Sequence, residues 1–152
     1  MEMKSIKPGL LNLATSYVDD RIKILHANIN DLKEALKLET KCSMGDKYET
    51  DRAMLHLEFE KLSGQIEQYG KLKKTLNHIE ANSVHSKVQF GSVINTTGPN
   101  YFIAIPAGVL NYEDENFYAV GYQTPVAREL IGKSTGDNFT INGESYKITA
   151  II

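Results

Sequence analysis

Residues 18–36, VDDRIKILHANINDLKEAL, read together with residues 55–69, LHLEFEKLSGQIEQY, decide the fold. In the first stretch apolar residues recur in alternating steps of four and three, at Val18, Ile22, Leu25, Ile29, Leu32 and Leu36. In the second they fall at Leu55, Phe59, Leu62, Ile66 and Tyr69. Such steps keep one face of a helix apolar and form the seam of a coiled coil. The two series also match in reverse order. Leu36 pairs with Leu55, Leu32 with Phe59, Ile29 with Leu62, Leu25 with Ile66, and Ile22 with Tyr69; the numbers in each pair sum to 91. Ile22, Ile29 and Leu36 are then a positions facing d positions Tyr69, Leu62 and Leu55, as an antiparallel pair requires.

This register places the fold-back point between Gly45 and Asp46. The apolar pattern breaks there, at Lys41-Cys42-Ser43-Met44-Gly45-Asp46. Gly45 can take the left-handed conformation that ends a helix, and Asp46 can cap the next one. Each arm has about 32 residues, so at ~1.5 Å per residue the hairpin is on the order of 48 Å long. Its narrow seam buries little, and the remaining sequence is expected to hold its open end.

From Val84 onward the period changes. Residues 88–94 (VQFGSVI), 101–105 (YFIAI) and 117–121 (FYAVG) read as strands, rich in β-branched and aromatic residues. Thr124-Pro125 opens a short helix that Gly132 stops. Residues 139–141 and 146–151 flank Asn142-Gly143, a strong hairpin signal. The expected class is α+β: an antiparallel coiled-coil hairpin over residues 1–82, its acidic tip near 45–49, then a small antiparallel sheet domain with one short helix over 83–152.

Composition narrows the function. The formal net charge is −2, and residues 1–80 hold 13 Lys and Arg against 13 Asp and Glu. A dense but balanced charge is that of a solvated helix surface. The single cysteine, Cys42, cannot form an internal disulfide, and Met1 to Leu13 lacks a signal peptide's apolar core, so a cytoplasmic location is expected. His26, His56, His78 and His85 have no metal-ligand spacing and read as surface or seam-edge residues. Glu113-Asp114-Glu115 reads as a solvated loop. Nothing resembles a phosphate-binding loop or a Ser/His/Asp constellation, so no independent active site is expected.

Two runs resemble the Gre family of transcription elongation factors (GreA/GreB-like). Residues 124–137, TPVARELIGKSTGD, are similar to that family's Ser/Thr-Pro, small helix, Leu-Ile-Gly-Lys and Gly-Asp pattern. Gly45-Asp46-Lys47-Tyr48-Glu49 resembles its Gly-Asp-x-x-Glu tip. The resemblance implies an FKBP-like C-terminal domain docking on bacterial RNA polymerase through Thr124 and Pro125, with the hairpin entering the secondary channel. Asp46 and Glu49 would there help hold Mg²⁺ at the polymerase active site, beside the nascent RNA, to cut the displaced 3′ end of RNA in backtracked complexes. The factor would be a monomer with no resident metal and no membrane partner, and the polymerase would remain the enzyme.

The same residues admit plainer roles. Asp46-Lys47-Tyr48-Glu49 is also a capping box, and Thr124-Pro125 starts a helix in any protein. Lys33, Lys37, Lys41, Lys47 and Arg52 suit either a solvated face or steering toward RNA phosphates. After Glu49 the chain reads Thr50-Asp51-Arg52-Ala53, where Gre factors generally continue Asn-Ala-Glu-Tyr. A non-cleaving channel regulator or inhibitor is therefore an alternative, and an FKBP-fold chaperone-like binding protein a more distant one.

Overall fold

The computed structural model describes residues 6–41 and 46–152, leaving aside the side chains of residues 39–48. Two long helices come first, α1 (Ile6–Lys41) and α2 (Asp46–Asn77). Six strands and one short helix follow: β1 (Val93–Thr96), β2 (Asn100–Ala104), β3 (Gly108–Tyr112), β4 (Glu115–Gly121), α3 (Pro125–Leu130), β5 (Asn138–Ile141) and β6 (Glu144–Ile151). The chain divides into two compact units, one of residues 18–72 and the other of the described residues up to Tyr17 with Lys73–Ile152. Both long helices run through both units.

The first unit is the seam. Leu25, Ile29, Leu32 and Leu62 form its buried centre, with Leu55, Phe59, Ile66 and Tyr69 packed against them. All eight are among the ten residues the sequence paired, with Ile22 and Leu36 outside the cluster, and only four residues separate the two packed helices, so the pair is antiparallel. The turn at Gly45, the place of Cys42 and capping by the Asp46 side chain lie outside the described residues. The backbone makes Asp46 the first residue of α2.

The second unit is built on one sheet of order β3-β4-β2-β1-β6-β5. The sheet is mixed, whereas the sequence suggested a wholly antiparallel one. β2 and β4 pair in parallel, from Asn100 opposite Phe117 to Ala104 opposite Gly121. The cause is β3. The chain leaves β2 through Pro106 and Gly108, the latter at φ 71°, and β3 pairs with β4 at the sheet edge. The returning β4 then slots in beside β2, running the same way. β3 had no clear sequence signal, because only Leu110 of its five residues is buried. Its turn, Glu113-Asp114, is left-handed at both residues (φ 49° and 66°) without a glycine, so the segment read as a loop.

Two further differences are local. The strand expected over residues 88–94 begins only at Val93. Gly91 at φ 89° breaks the extended run, and the Ser92 N–H closes a turn onto the Gln89 carbonyl at 3.0 Å. At Asn142-Gly143 the reading holds. Both residues are left-handed, at φ 53° and 83°, and the flanking strands pair from Ile141 opposite Glu144 to Asn138 opposite Lys147.

Both faces of the sheet are covered. On one, Ile94, Tyr101, Ile103, Phe139 and Ile148 pack with Val88 and with Ala127 and Leu130 of α3. On the other lie Val93, Phe102 and Ala119, aligned across three strands, with Leu110 opposite Phe117. Tyr112 shares that face, and its ring lies so close to Gly9 of α1 that a β-carbon there would collide with it. Leu10 and Ala14 have no exposed surface, and Leu76 and Ile79 are buried in the same unit.

Phe117 has no exposed surface, whereas the seam around Leu62 is flanked by half-exposed neighbours that can relax. Phe117→Ala is therefore expected to cost about 3–5 kcal/mol and Leu62→Ala about 2 kcal/mol. Urea unfolding followed by circular dichroism measures both, and a larger loss at Leu62 would contradict this ranking.

Candidate functional site

Glu49 stands exposed in the first turn of α2, three residues after Asp46 and so on the same side of the helix. Asp51 is half-buried. Among the described residues, no three His, Cys, Asp or Glu side chains converge as a metal-ligand group. Lys33, Lys37 and Arg52 are exposed, and Lys37 reaches Glu34 at 3.6 Å in a solvated pair of small energetic value. Apolar side chains stand among these charges. Leu38 and Met54 are each 63% exposed and Leu57 66%. A seam-only role leaves these three unexplained, because they fall outside the stripe that the two helices bury.

Thr124 and Pro125 open α3 as the sequence indicated. The Thr124 hydroxyl accepts the Ala127 N–H at 3.3 Å and donates to the Gly121 carbonyl at 2.9 Å. Pro125 takes the first helical position, where its missing N–H costs nothing. Gly132, at φ 88°, follows the helix and sends its N–H to the Val88 carbonyl at 2.8 Å. Lys133 and Asp137 belong to a turn, in which an Asp137 carboxylate oxygen accepts the Ser134 N–H at 2.7 Å. Pro125 is exposed, and beside it Tyr122, Gln123, Arg128 and Ile131 line an open depression. The exposed Tyr122 ring meets Phe90 edge-on at 6.4 Å. The α3 start thus combines an apolar ring, a proline and an Arg on an accessible surface. Asp46 and Glu49 belong to the seam unit, and Thr124 and Pro125 to the sheet unit.

A third group went unread in the sequence. Lys7 is 1% exposed. Its ammonium donates to the Ser83 carbonyl at 3.1 Å and to Ser83 Oγ at 3.2 Å. Ser83 Oγ in turn donates to the Glu80 carbonyl at 2.7 Å. Burial lowers the Lys7 amine from 10.5 to about 8. His85, read as a surface or seam-edge residue, is half-buried in the sheet unit. Its Nδ1 lies 2.6 Å from Oγ of the fully buried Ser92, which also accepts the Gln89 N–H at 3.0 Å. Burial first, and the Lys7 charge second, hold the His85 imidazole below its usual value. One signal was available: Lys7 lies three and seven residues before Leu10 and Ala14, a cation on an apolar helical stripe.

No protein-family model matches the chain, and no curated protein matches it in sequence. Among solved structures, the chain is similar to the transcription factor Gfh1 with a TM-score of 0.39 and 13% identity, covering 91% of this chain and 93% of that one.

Two outcomes are expected. Thr124→Ala removes the cap of α3 and should cost about 1 kcal/mol in urea unfolding, with Thr124→Ser close to wild type. The Lys7 amine also makes stability depend on pH. The folded chain releases this proton near pH 8, and the unfolded chain near 10.5. The cost of burying the charge is therefore complete below pH 8 and fades as pH rises toward 10.5. Wild-type stability should gain on Lys7→Met between pH 8 and 10, and a flat difference would contradict it.

Proposed function

We propose that this chain is a Gre-like accessory factor of bacterial RNA polymerase that works in the enzyme's secondary channel. One observation carries the reading. Residues whose spacing in the sequence implies a fold-back at Gly45-Asp46 pack together in one seam, and the run beginning there, Gly45-Asp46-Lys47-Tyr48-Glu49, resembles the Gre tip. The 124–137 run supports it by forming a capped helix on an accessible surface. In this reading residues 1–82 are the channel-entering hairpin and residues 83–152 the docking domain. Thr124 and Pro125, with Tyr122 and Arg128 beside them, meet the polymerase. The exposed Leu38, Met54 and Leu57 give the hairpin apolar contacts with the channel wall.

Glu49, with Asp46 one helical turn before it, would offer carboxylate oxygens to a Mg²⁺ ion held mainly by the polymerase, near the nascent RNA 3′ end. Hard cations that keep several waters are secured by one or two such ligands. A metal ion there supplies activation of a water for attack on a phosphodiester and stabilisation of the leaving oxygen. Two carboxylates on a solvated helix make a weak site alone, so the polymerase must provide the rest.

A second reading keeps the channel and omits cleavage. It is favoured by Thr50-Asp51-Arg52-Ala53, which stands where Gre factors generally carry Asn-Ala-Glu-Tyr. A stalled, backtracked elongation complex with Mg²⁺ and end-labelled RNA separates the two. The cleavage reading expects shortening from the 3′ end that drops at least about tenfold in Asp46→Ala/Glu49→Ala, or 1.4 kcal/mol of barrier. Intact RNA with an altered elongation or initiation rate would establish the regulator. Neither effect, with no binding to polymerase, would overturn both.

A further inference from the structure

A small cavity lies against the first turn of α1, lined by Lys7, Ala81, Asn82, Ser83, Val84 and Ile152. All six residues belong to the sheet unit. Lys7 has three ammonium protons, and its two acceptors are a carbonyl and a hydroxyl, both of Ser83. Among the described residues no carboxylate pairs with it. Its position is adverse in a second way, because the first turn of a helix favours negative charge. A packing role alone would be better filled by a methionine of the same length. A buried cation with a spare donor facing a cavity is the arrangement that an anion completes.

We propose that this cavity binds a small monocarboxylate, held by Lys7 Nζ with the polar groups of Ser83 and Asn82, its short alkyl part resting on Val84 and Ile152. Charge and shape select that class. One buried ammonium neutralises one negative charge, whereas a phosphate or sulfate dianion would leave an uncompensated charge in the cavity. The volume, about 160 Å³, admits several heavy atoms. Lys7, Asn82 and Ser83 bring polar groups to the lining, and Ala81, Val84 and Ile152 bring alkyl side chains, a mixture that suits a carboxylate with an alkyl end. The carboxylate binds the ammonium form about tenfold more tightly than the neutral amine, so binding and the Lys7 proton are linked.

Acetate and propionate, titrated into the full-length protein at constant ionic strength against chloride, test this through two readouts. The first is the melting temperature. A saturable rise with propionate, absent with chloride and lost in Lys7→Met, is expected. Lys7→Met should itself melt higher than wild type without ligand. The second follows the ¹³Cε resonances of labelled lysines in the wild-type protein and needs no variant to fold. The lysine that titrates near pH 8 should shift up by about one unit with saturating propionate, a tenfold preference for the charged form. Affinity should fall by about the same factor between pH 7 and 10. A response equal to that of chloride, or retained in Lys7→Met, would overturn the site, as would an unmoved lysine midpoint. Tighter binding of inorganic phosphate than of propionate would overturn the ligand class.

Discussion

A sheet that carries apolar side chains on both faces must be covered on both, and most of this structure follows from how that is done. The face holding Ile94, Tyr101, Ile103 and Ile148 is covered by α3 and Val88. The face holding Phe102, Leu110, Phe117 and Ala119 includes the Tyr112 ring that Gly9 of α1 meets. The two covers differ in what they require. α3 has only six residues, too few to persist alone. It depends on the Thr124 cap, on Pro125 and on Ala127 and Leu130 in the core. The start of α1 needs no cap of its own to be held, because Leu10 and Ala14 are completely buried.

The seam unit obeys a different constraint. Two helices packed only on each other can bury just one stripe each, and the centre here is Leu25, Ile29, Leu32 and Leu62. The remaining helix surface stays in solvent, where charged residues of both signs are cheap to keep. Large apolar side chains in that surface, such as Leu38, Met54 and Leu57, gain nothing from the seam. In the proposed function they are the apolar contacts that the hairpin makes with the channel wall.

Polar groups in the sheet unit are handled economically near the end of α2. Ser83 accepts from Lys7 while donating to Glu80, and Ser92 serves both Gln89 and His85. Two hydroxyls thereby serve two separate groups: Ser83 ties α1 to the segment after α2, and Ser92 ties His85 to the approach to β1. The Lys7 ammonium has no opposite charge paired with it among the described residues. Burial penalises the charged form of both the Lys7 amine and the His85 imidazole, and the Lys7 charge adds to the cost of charging His85.

The sequence alone determined the elements whose signal is local or strictly periodic. The heptad steps over residues 18–36 and 55–69 set the helical pair and most of its seam residues, because an antiparallel seam needs apolar a and d positions on both arms. Thr124-Pro125 and Asn142-Gly143 were legible because capping and left-handed turns demand particular residues. Tertiary structure decided what depends on neighbours distant in the chain. Whether β4 runs parallel to β2 depends on where β3 is placed, and an edge strand with one buried residue has almost no pattern to read. Likewise, the local pattern shows Lys7 only as a cation on the apolar stripe of Leu10 and Ala14, not what it meets. It becomes a buried cation only when Ser83, 76 residues away in the chain, folds against it.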